Sequence, residues 1–375
     1  MKILFTGGGS GGHFYPIIAI ADALLRIARE ERLIPPRLFF MGPSAYDERL
    51  LFDRSITFVP VAAGKVRRYL SVKNIIDLFK TAWGLVCACV LLFRIFPDIV
   101  VGKGGFGSFP ALVAARLFNI PVLIHESDSV PGRVNRWAGR FAGRVAVSFP
   151  EAATYFPNGK IAYTGNPIRK ELLEDASRDV KDVFGLQSEI PTIAVLGGSQ
   201  GAATLNEVLL RALPELLHRY QVVHQTGTAQ IADITARATV LLEHHPESNR
   251  YHLVGYLSTD ALRALRGTAA LIISRAGSTI FEIAAFGIPS ILIPISDSNG
   301  NHQRENAYAY ARSGAARVVE ETNLTPTILL HEIQDILDDP PMRKIMAAQA
   351  RLFAKTDAAE VIAREILGMA LKHER

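Results

Sequence analysis

His13 stands at the end of the stretch Gly7-Gly8-Gly9-Ser10-Gly11-Gly12, between an apolar run at 3–5 and a long helical pattern. Five glycines in six positions between a strand and a helix let backbone N–H groups come close to an anionic or crowded ligand. An imidazole at such a place can take a proton from a hydroxyl near neutral pH, so His13 is a candidate general base. The plainer alternative is a tight βα turn with an incidental histidine.

Three further loops pair glycines with polar side chains. Gly197-Gly198-Ser199-Gln200-Gly201-Ala202 follows an apolar run and opens a helix, so its N–H groups and the Ser199 hydroxyl suit a diphosphate. Arg275-Ala276-Gly277-Ser278-Thr279 again sets glycine and hydroxyls at a helix start. Glu282, three residues after Thr279, fits either a capping box or a carboxylate that grips the two hydroxyls of a ribose. At 98–108 a strand runs into a glycine loop with Lys103 and Phe106 at its tip, and the next strand ends His125-Glu126-Ser127-Asp128. Ionisable residues just past a buried strand point to substrate contact.

Some chemistries are excluded. Gly7-x-Gly9-x-x-Gly12 formally matches a dinucleotide fingerprint, but the second strand ends Phe39-Phe40-Met41-Gly42, without the acidic residue a ribose would need. That weighs against an NAD(P)-dependent oxidoreductase. No Gly-Lys-Ser/Thr follows, so it is no P-loop. There is no Asp-x-Asp and no His/Cys cluster of metal spacing, and Asp338-Asp339 before Pro340-Pro341 suits a helix end. A diphosphate would be neutralised by helix N-termini and by basic residues such as Arg169, with no cofactor and no obligatory metal.

The elements that must position these loops read as short β-branched runs alternating with helices, the pattern of parallel α/β sheets. Strands are expected near 2–6, 37–41, 57–61, 98–101, 121–125 and 144–148, then near 192–196, 221–225, 251–254, 270–274, 290–294 and 316–319. Each half restarts with a strand and a glycine turn, and the turn-forming Thr164-Gly165-Asn166-Pro167 sets a boundary near 165. The unit at 107–127 is echoed at 277–296: Gly-Ser, helix, Ile-Pro, strand, polar loop. Two Rossmann-like doubly wound domains facing across a cleft are therefore expected, with ligands beyond the carboxyl ends of the strands.

Of 375 residues 49% are hydrophobic and 21% charged, which excludes a disordered chain. Residues 1–164 carry 20 Lys+Arg against 11 Asp+Glu, and 165–375 carry 21 against 25, so a net charge of +5 divides into +9 and −4. The basic half suits an anionic surface; its cations are not interleaved with aromatics in a run, so nucleic acid is not the expected partner. Cys87 and Cys89 lack redox or zinc spacing and suit a reducing compartment. The chain starts directly with a strand, without a signal-like segment. Residues 65–80 mix Lys65, Arg67, Arg68, Lys73 and Lys80 with Ile75, Ile76 and Phe79, and Trp83 follows, which suits a helix lying among lipid headgroups. The apolar run 82–93 is 12 residues, short of the roughly 20 that span a bilayer, and is expected to be a core helix.

Taken in order, the segments 7–16, 102–110, 125–132, 165–169, 197–202, 275–283 and 301–307 (GGGSGGHFYP, GKGGFGSFP, HESDSVPG, GNPIR, GGSQGA, RAGSTIFEI and NHQRENA) resemble the MurG family of glycosyltransferases, family 28. The resemblance covers nearly the whole chain and implies the GT-B fold. It divides the chain into an acceptor and membrane domain at 1–164, a donor domain at 165–355 and a helix at 356–375 packing back on the first domain. It also implies an inverting transfer of N-acetylglucosamine (GlcNAc) from UDP-GlcNAc to the lipid-linked muramyl-pentapeptide, lipid I. The setting would be peripheral, on the cytoplasmic face of an anionic inner membrane. Carried over by residue, His13 would be the base; Ser10, Gly11, Gly12 and Asp128 would approach the donor sugar and diphosphate. Arg169 and Ser199 would meet the diphosphate, Leu257 the uracil, Gly277, Ser278 and Thr279 phosphate, Glu282 the ribose and Gln303 the sugar hydroxyls. Gly104, Gly105, Phe106 and Glu126 would face the acceptor, and Ile75, Ile76, Phe79 and Trp83 the membrane. Ser10 stands where many members have Thr, and Asp128 where some have Asn. A diacylglycerol glycosyltransferase or a UDP-GlcNAc 2-epimerase would share the architecture; the first differs in its acceptor and the second needs none.

Overall fold

The computed structural model describes residues 1–64, 72–174, 183–198, 201–296 and 301–373, with backbone alone at 72–75. The chain divides into two compact units, Met1–Arg169 with Lys355–Arg375, and Lys170–Ala354.

The first unit is built on seven parallel strands: β1 (Lys2–Thr6), β2 (Arg37–Gly42), β3 (Ile56–Pro60), β4 (Ile99–Gly102), β5 (Val122–Glu126), β6 (Arg144–Val147) and β7 (Ile161–Tyr163). Their order is β3-β2-β1-β4-β5-β6-β7. The strands read as near-continuous apolar runs because both faces are covered. Ile3, Phe5, Ile99 and Val101 pack under α1 (Gly11–Glu30), while Leu4, Val100 and Ile124 face a layer that includes α3 (Val72–Ile95) and α4 (Phe109–Leu117). Between these helices lies the short α2 (Glu48–Asp53), and α5 (Arg133–Ala138) follows β5. The order reverses at β1, which pairs with β2 on one side and β4 on the other. That switch point opens a crevice at the carboxyl ends of the two strands.

The second unit repeats the plan with six parallel strands: β8 (Thr192–Leu196), β9 (Gln221–Gln225), β10 (Tyr251–Val254), β11 (Ala269–Ser274), β12 (Ser290–Leu292) and β13 (Ala316–Val318). Their order is β10-β9-β8-β11-β12-β13. Its helices are α6 (Ala203–Leu217), α7 (Ile231–Leu241), α8 (Thr259–Thr268), α9 (Thr279–Phe286), α10 (His302–Ala311), α11 (Pro326–Leu337) and α12 (Pro340–Phe353). Leu205, Leu209 and Leu213 of α6 share one core with Ile333 of α11. On the other face Ile280 and Ala284 of α9 meet Tyr310 of α10 and Ala350 of α12. The last helix, α13 (Ala358–His373), belongs to the first unit and lays Ile362, Ala363, Ile366 and Ala370 into the core of α1.

Three features differ from the sequence reading. The first unit extends through Arg169, because the Gly165 N–H still bonds the Val147 carbonyl at the end of β6 and Arg169 is buried against α1. The strand β7 went unread: it is three residues on the sheet edge, too short for a period. The run 82–93 is not a core helix. It continues the helix from Val72 as α3, of which Ala88 and Leu92 are fully buried while Ile76, Leu78, Phe79, Trp83, Val86, Val90 and Phe93 stay 46–71% exposed. The span Ile76–Ile95, 20 residues, is long and apolar enough to cross a membrane, yet one flank of the helix lies along α4. A uniformly apolar run gives no periodicity, so composition alone could not show which flank docks.

Candidate functional site

In the first unit the loops after β1, β4 and β5 converge at the switch point. A methyl group on Gly105 would stand 2.8 Å from the Gly8 Cα, and one on Gly107 2.8 Å from the Gly7 carbonyl oxygen. Gly104 and Gly105 also hold φ of +89° and +79°, a region L-residues rarely adopt. Here the glycines let two loops touch backbone to backbone. His13 borders the contact: the Nδ1 edge of its ring faces Gly8, and its Nε2 would lie 3.4 Å from a Cβ on Gly105.

Ser10 is the N-cap of α1, in extended conformation, but its side chain caps no backbone N–H. Its Oγ lies 2.7 Å from His13 Nδ1 instead. In the tautomer that donates Nδ1–H to Ser10, Nε2 carries the lone pair and faces the β4 loop. Gly11 and Gly12 form the first turn of α1.

Beneath these loops is a buried charged group. Glu126 accepts from Asp128 N at 2.9 Å through Oε1, and from Gly132 N at 3.1 Å and Asn135 Nδ2 at 2.9 Å through Oε2. Both oxygens therefore brace their own loop, which carries Asp128. Burial, and then Asp128, push the Glu126 carboxyl up to about 7. Lys103 is not at the loop tip as read from the sequence. It is buried, its Nζ has no hydrogen-bond partner among the described residues, and burial brings it down to about 8 against the pull of Glu126 and Asp128. His125 is buried with Nε2 3.1 Å from the Gly165 carbonyl, and is held neutral by burial and by Lys103. Phe106 is half-buried in the one-turn helix Phe106–Ser108. Arg169 lays its guanidinium 4.4 Å from the centre of the Tyr15 ring.

In the second unit the loops after β8, β11 and β12 end on the same edge of the sheet. Ser199 and Gln200 lie outside the described residues. Gly201 holds φ of +79°, and a Cβ there would meet the Thr226 carbonyl at 2.6 Å. Asn206 of α6 anchors this loop from below: its Nδ2 donates to Thr226 O and to Gln230 Oε1, and its Oδ1 lies 3.0 Å from His224 Nε2. The other nitrogen of His224 meets the Tyr251 hydroxyl at 2.8 Å. After β11, α9 begins at Thr279 with Ser278 as N-cap, and the Ser278 side chain caps no N–H. Thr279 is thus the first helical residue and not the N-cap, and Gly277, Ser278, Thr279 and Glu282 gather at one helix start. The Leu257 side chain is buried. Gln303 Oε1 accepts from Ile295 N at 3.2 Å, leaving its amide N–H groups as donors.

Sequence reasoning missed Glu320 and Glu321. Glu321 accepts from Arg275 Nη2, and from Ser296 N at 3.1 Å and Ser296 Oγ at 3.2 Å. Glu320 accepts from Arg304 Nε and Tyr308 Oη of α10, each at 2.8 Å. Their position was the available signal, since they follow the carboxyl end of β13, the edge that carries the other loops.

On α3, Ile76, Phe79 and Trp83 share the exposed apolar side with Lys80, and Phe93 lies 6.1 Å from Phe118 beyond α4. The side chain of Ile75 and residues 65–71, with Lys65, Arg67 and Arg68, lie outside the described residues, as does the side chain of Lys73. Among the described residues no group of three or more His, Cys, Asp or Glu is placed to hold a metal ion.

Residues 3–147 match the glycosyltransferase family 28 N-terminal domain and residues 192–362 its C-terminal domain. A Geobacter sulfurreducens protein named UDP-N-acetylglucosamine--N-acetylmuramyl-(pentapeptide) pyrophosphoryl-undecaprenol N-acetylglucosamine transferase is 32% identical over all of both chains. The crystal structure of Acinetobacter baumannii MurG superposes with a TM-score of 0.73 at 27% identity, covering 98% of this chain and 99% of that one. A UDP-GlcNAc 2-epimerase from Neisseria meningitidis bound to UDP-GlcNAc reaches 0.70 at 14% identity over 98% and 100%, a likeness of fold alone.

Proposed function

The chain belongs to glycosyltransferase family 28, and on that premise we propose that it transfers GlcNAc from UDP-GlcNAc to the 4-hydroxyl of the muramyl unit of lipid I. The observation that carries the reading is His13, its Nδ1 engaged by Ser10 and its Nε2 beside the Gly104–Gly105 turn at the sheet's switch point. In a single inverting displacement the acceptor O4–H gives its proton to Nε2 and the oxygen attacks the anomeric carbon. The bond from that carbon to the diphosphate oxygen breaks, and UDP leaves with the electron pair. Gly277, Ser278, Thr279 and the α6 N-terminus are the expected diphosphate donors, with Glu282 on the ribose and Gln303 on the sugar.

The exposed side of α3 supports a peripheral seat on an anionic membrane. It offers aromatic and aliphatic side chains beside Lys80, on a helix that also packs on its own domain.

The test follows radiolabelled GlcNAc from UDP-GlcNAc onto a short-prenyl lipid I analogue, with and without EDTA. Transfer is expected in both, and His13→Ala should lower kcat by roughly 10²–10⁴-fold with UDP affinity little changed. Turnover of that variant at the parental rate would remove His13 from the role. Interconversion of UDP-sugars with no acceptor present would favour an epimerase instead.

A further inference from the structure

Glu321 is 15% exposed at its side chain, next to an Arg275 that is 12% exposed. Its carboxylate joins three loops that are distant in sequence. Arg275 follows β11 and immediately precedes Ala276, Gly277 and Ser278; its other terminal nitrogen, Nη1, is fixed on the Ile293 carbonyl at 3.0 Å. Ser296 belongs to the segment after β12, where the neighbouring Ile295 N–H is held by Gln303. Thr204, in the first turn of α6 just past the glycine loop, lies beside Glu321 and helps hold its carboxyl down. Glu320, one residue earlier, fastens the helix that carries Gln303 through Arg304 and Tyr308. One short segment therefore ties Arg275 after β11, Ser296 after β12 and the helix that carries Gln303 to one another.

We propose that Glu321 is a positioning residue for the nucleotide-sugar: it touches no ligand, and it sets the mutual placement of the start of α6, the 275–279 turn and Ile295–Ser296, which flank the ligand. The inference rests on the reading of the second unit as the UDP side. Charge-assisted bonds to a guanidinium and a backbone N–H are the kind that hold geometry, and a shift of about 1 Å in a binding loop costs orders of magnitude in function. Burial alone would raise the Glu321 carboxyl, but the Ser296 N–H and Arg275 outweigh it and hold it below the usual range, so the anchor stays charged.

The experiment is calorimetric titration of UDP into the full chain and into Glu321→Gln and Glu321→Leu, with steady-state kinetics beside it. Glu321→Gln should weaken UDP about tenfold and Glu321→Leu more. The donor KM should rise in step, with the acceptor KM unchanged and kcat at saturating donor within about twofold. A merely destabilised protein would instead lose active fraction, lowering kcat at constant KM. If the parent binds UDP and a folded Glu321→Leu binds it equally well, the proposal is overturned and the donor reading stands. If Glu321→Leu does not fold, an unchanged Kd in Glu321→Gln overturns it. Absence of UDP binding to the parent overturns the donor reading and this proposal together.

Discussion

In the proposed reaction Ser10 orients His13 by holding its Nδ1, so that Nε2 is the nitrogen that takes the proton. A neutral hydrogen bond of this kind contributes about 1 kcal/mol, roughly fivefold in rate. Ser10→Ala is therefore expected to lower kcat by about five- to tenfold, far less than His13→Ala, and Ser10→Thr to keep it; steady-state kinetics at saturating substrates decide. His224 gives a second residue-scale expectation. Burial lowers it to about 3, so below about 6.5 the unfolded chain takes up a proton that the folded chain refuses. Stability should then fall as pH drops from about 6.5 toward 3, with a slope of up to about 1.4 kcal/mol per unit. Thermal midpoints across that window should decline less steeply for His224→Gln; parallel curves would count against it. The position of His13 beside the glycine loop was legible because glycines announce a loop and a histidine there stands out. Lys103 was not, because the strand's alternation continues one residue past Gly102 and turns its side chain to the face of Ile99 and Val101.

Among the elements, the strands that carry loops were legible to within a residue or two, since buried parallel strands are apolar runs bounded by glycine and proline. The loops at 7–12, 104–105 and 275–279 could be placed for the same reason. What the runs hide is the facing of a helix that is apolar all round. On α3 the side with Ala88 and Leu92 meets the body of the unit, and the opposite side leaves Ile76, Phe79, Trp83, Val86 and Val90 exposed. Replacing Ile76, Phe79 and Trp83 together with Ser should reduce binding to anionic liposomes by tenfold or more, since each large apolar side chain contributes about 1.5–3 kcal/mol when fully buried. Turnover of a short-prenyl, water-soluble acceptor analogue should persist in that variant. Flotation unchanged from the parent would take α3 out of the membrane seat.

For the whole molecule, the repeat of strand and glycine turn at 193–202 made two sheets readable from sequence. The exact crossing of the chain was less so, because Thr164–Pro167 has turn chemistry while its backbone bonds still belong to β6. The carboxylates at 320–321 were unreadable for a related reason: their hydrogen-bond partners lie 12 to 46 positions earlier in the chain. The return of α13 to the first unit leads to a thermal expectation. A chain ending at 354 lacks Ile362, Ile366 and Leu367 from the core of α1. Scanning calorimetry should show the first unit's transition lost, while UDP binding and the unfolding of 170–354 survive. Two transitions at the parental temperatures would refute it.

The same return has a consequence on the ribosome. Residues 355–373 are translated only after all of 170–354, a delay on the order of 10–40 s at about 5–20 residues per second. Through that interval the nascent first sheet has α1 on its inner face but no α13, so Ile3, Ile99 and Leu123 wait with their cover incomplete. Chaperone demand during synthesis should fall on the half that is made first and finished last.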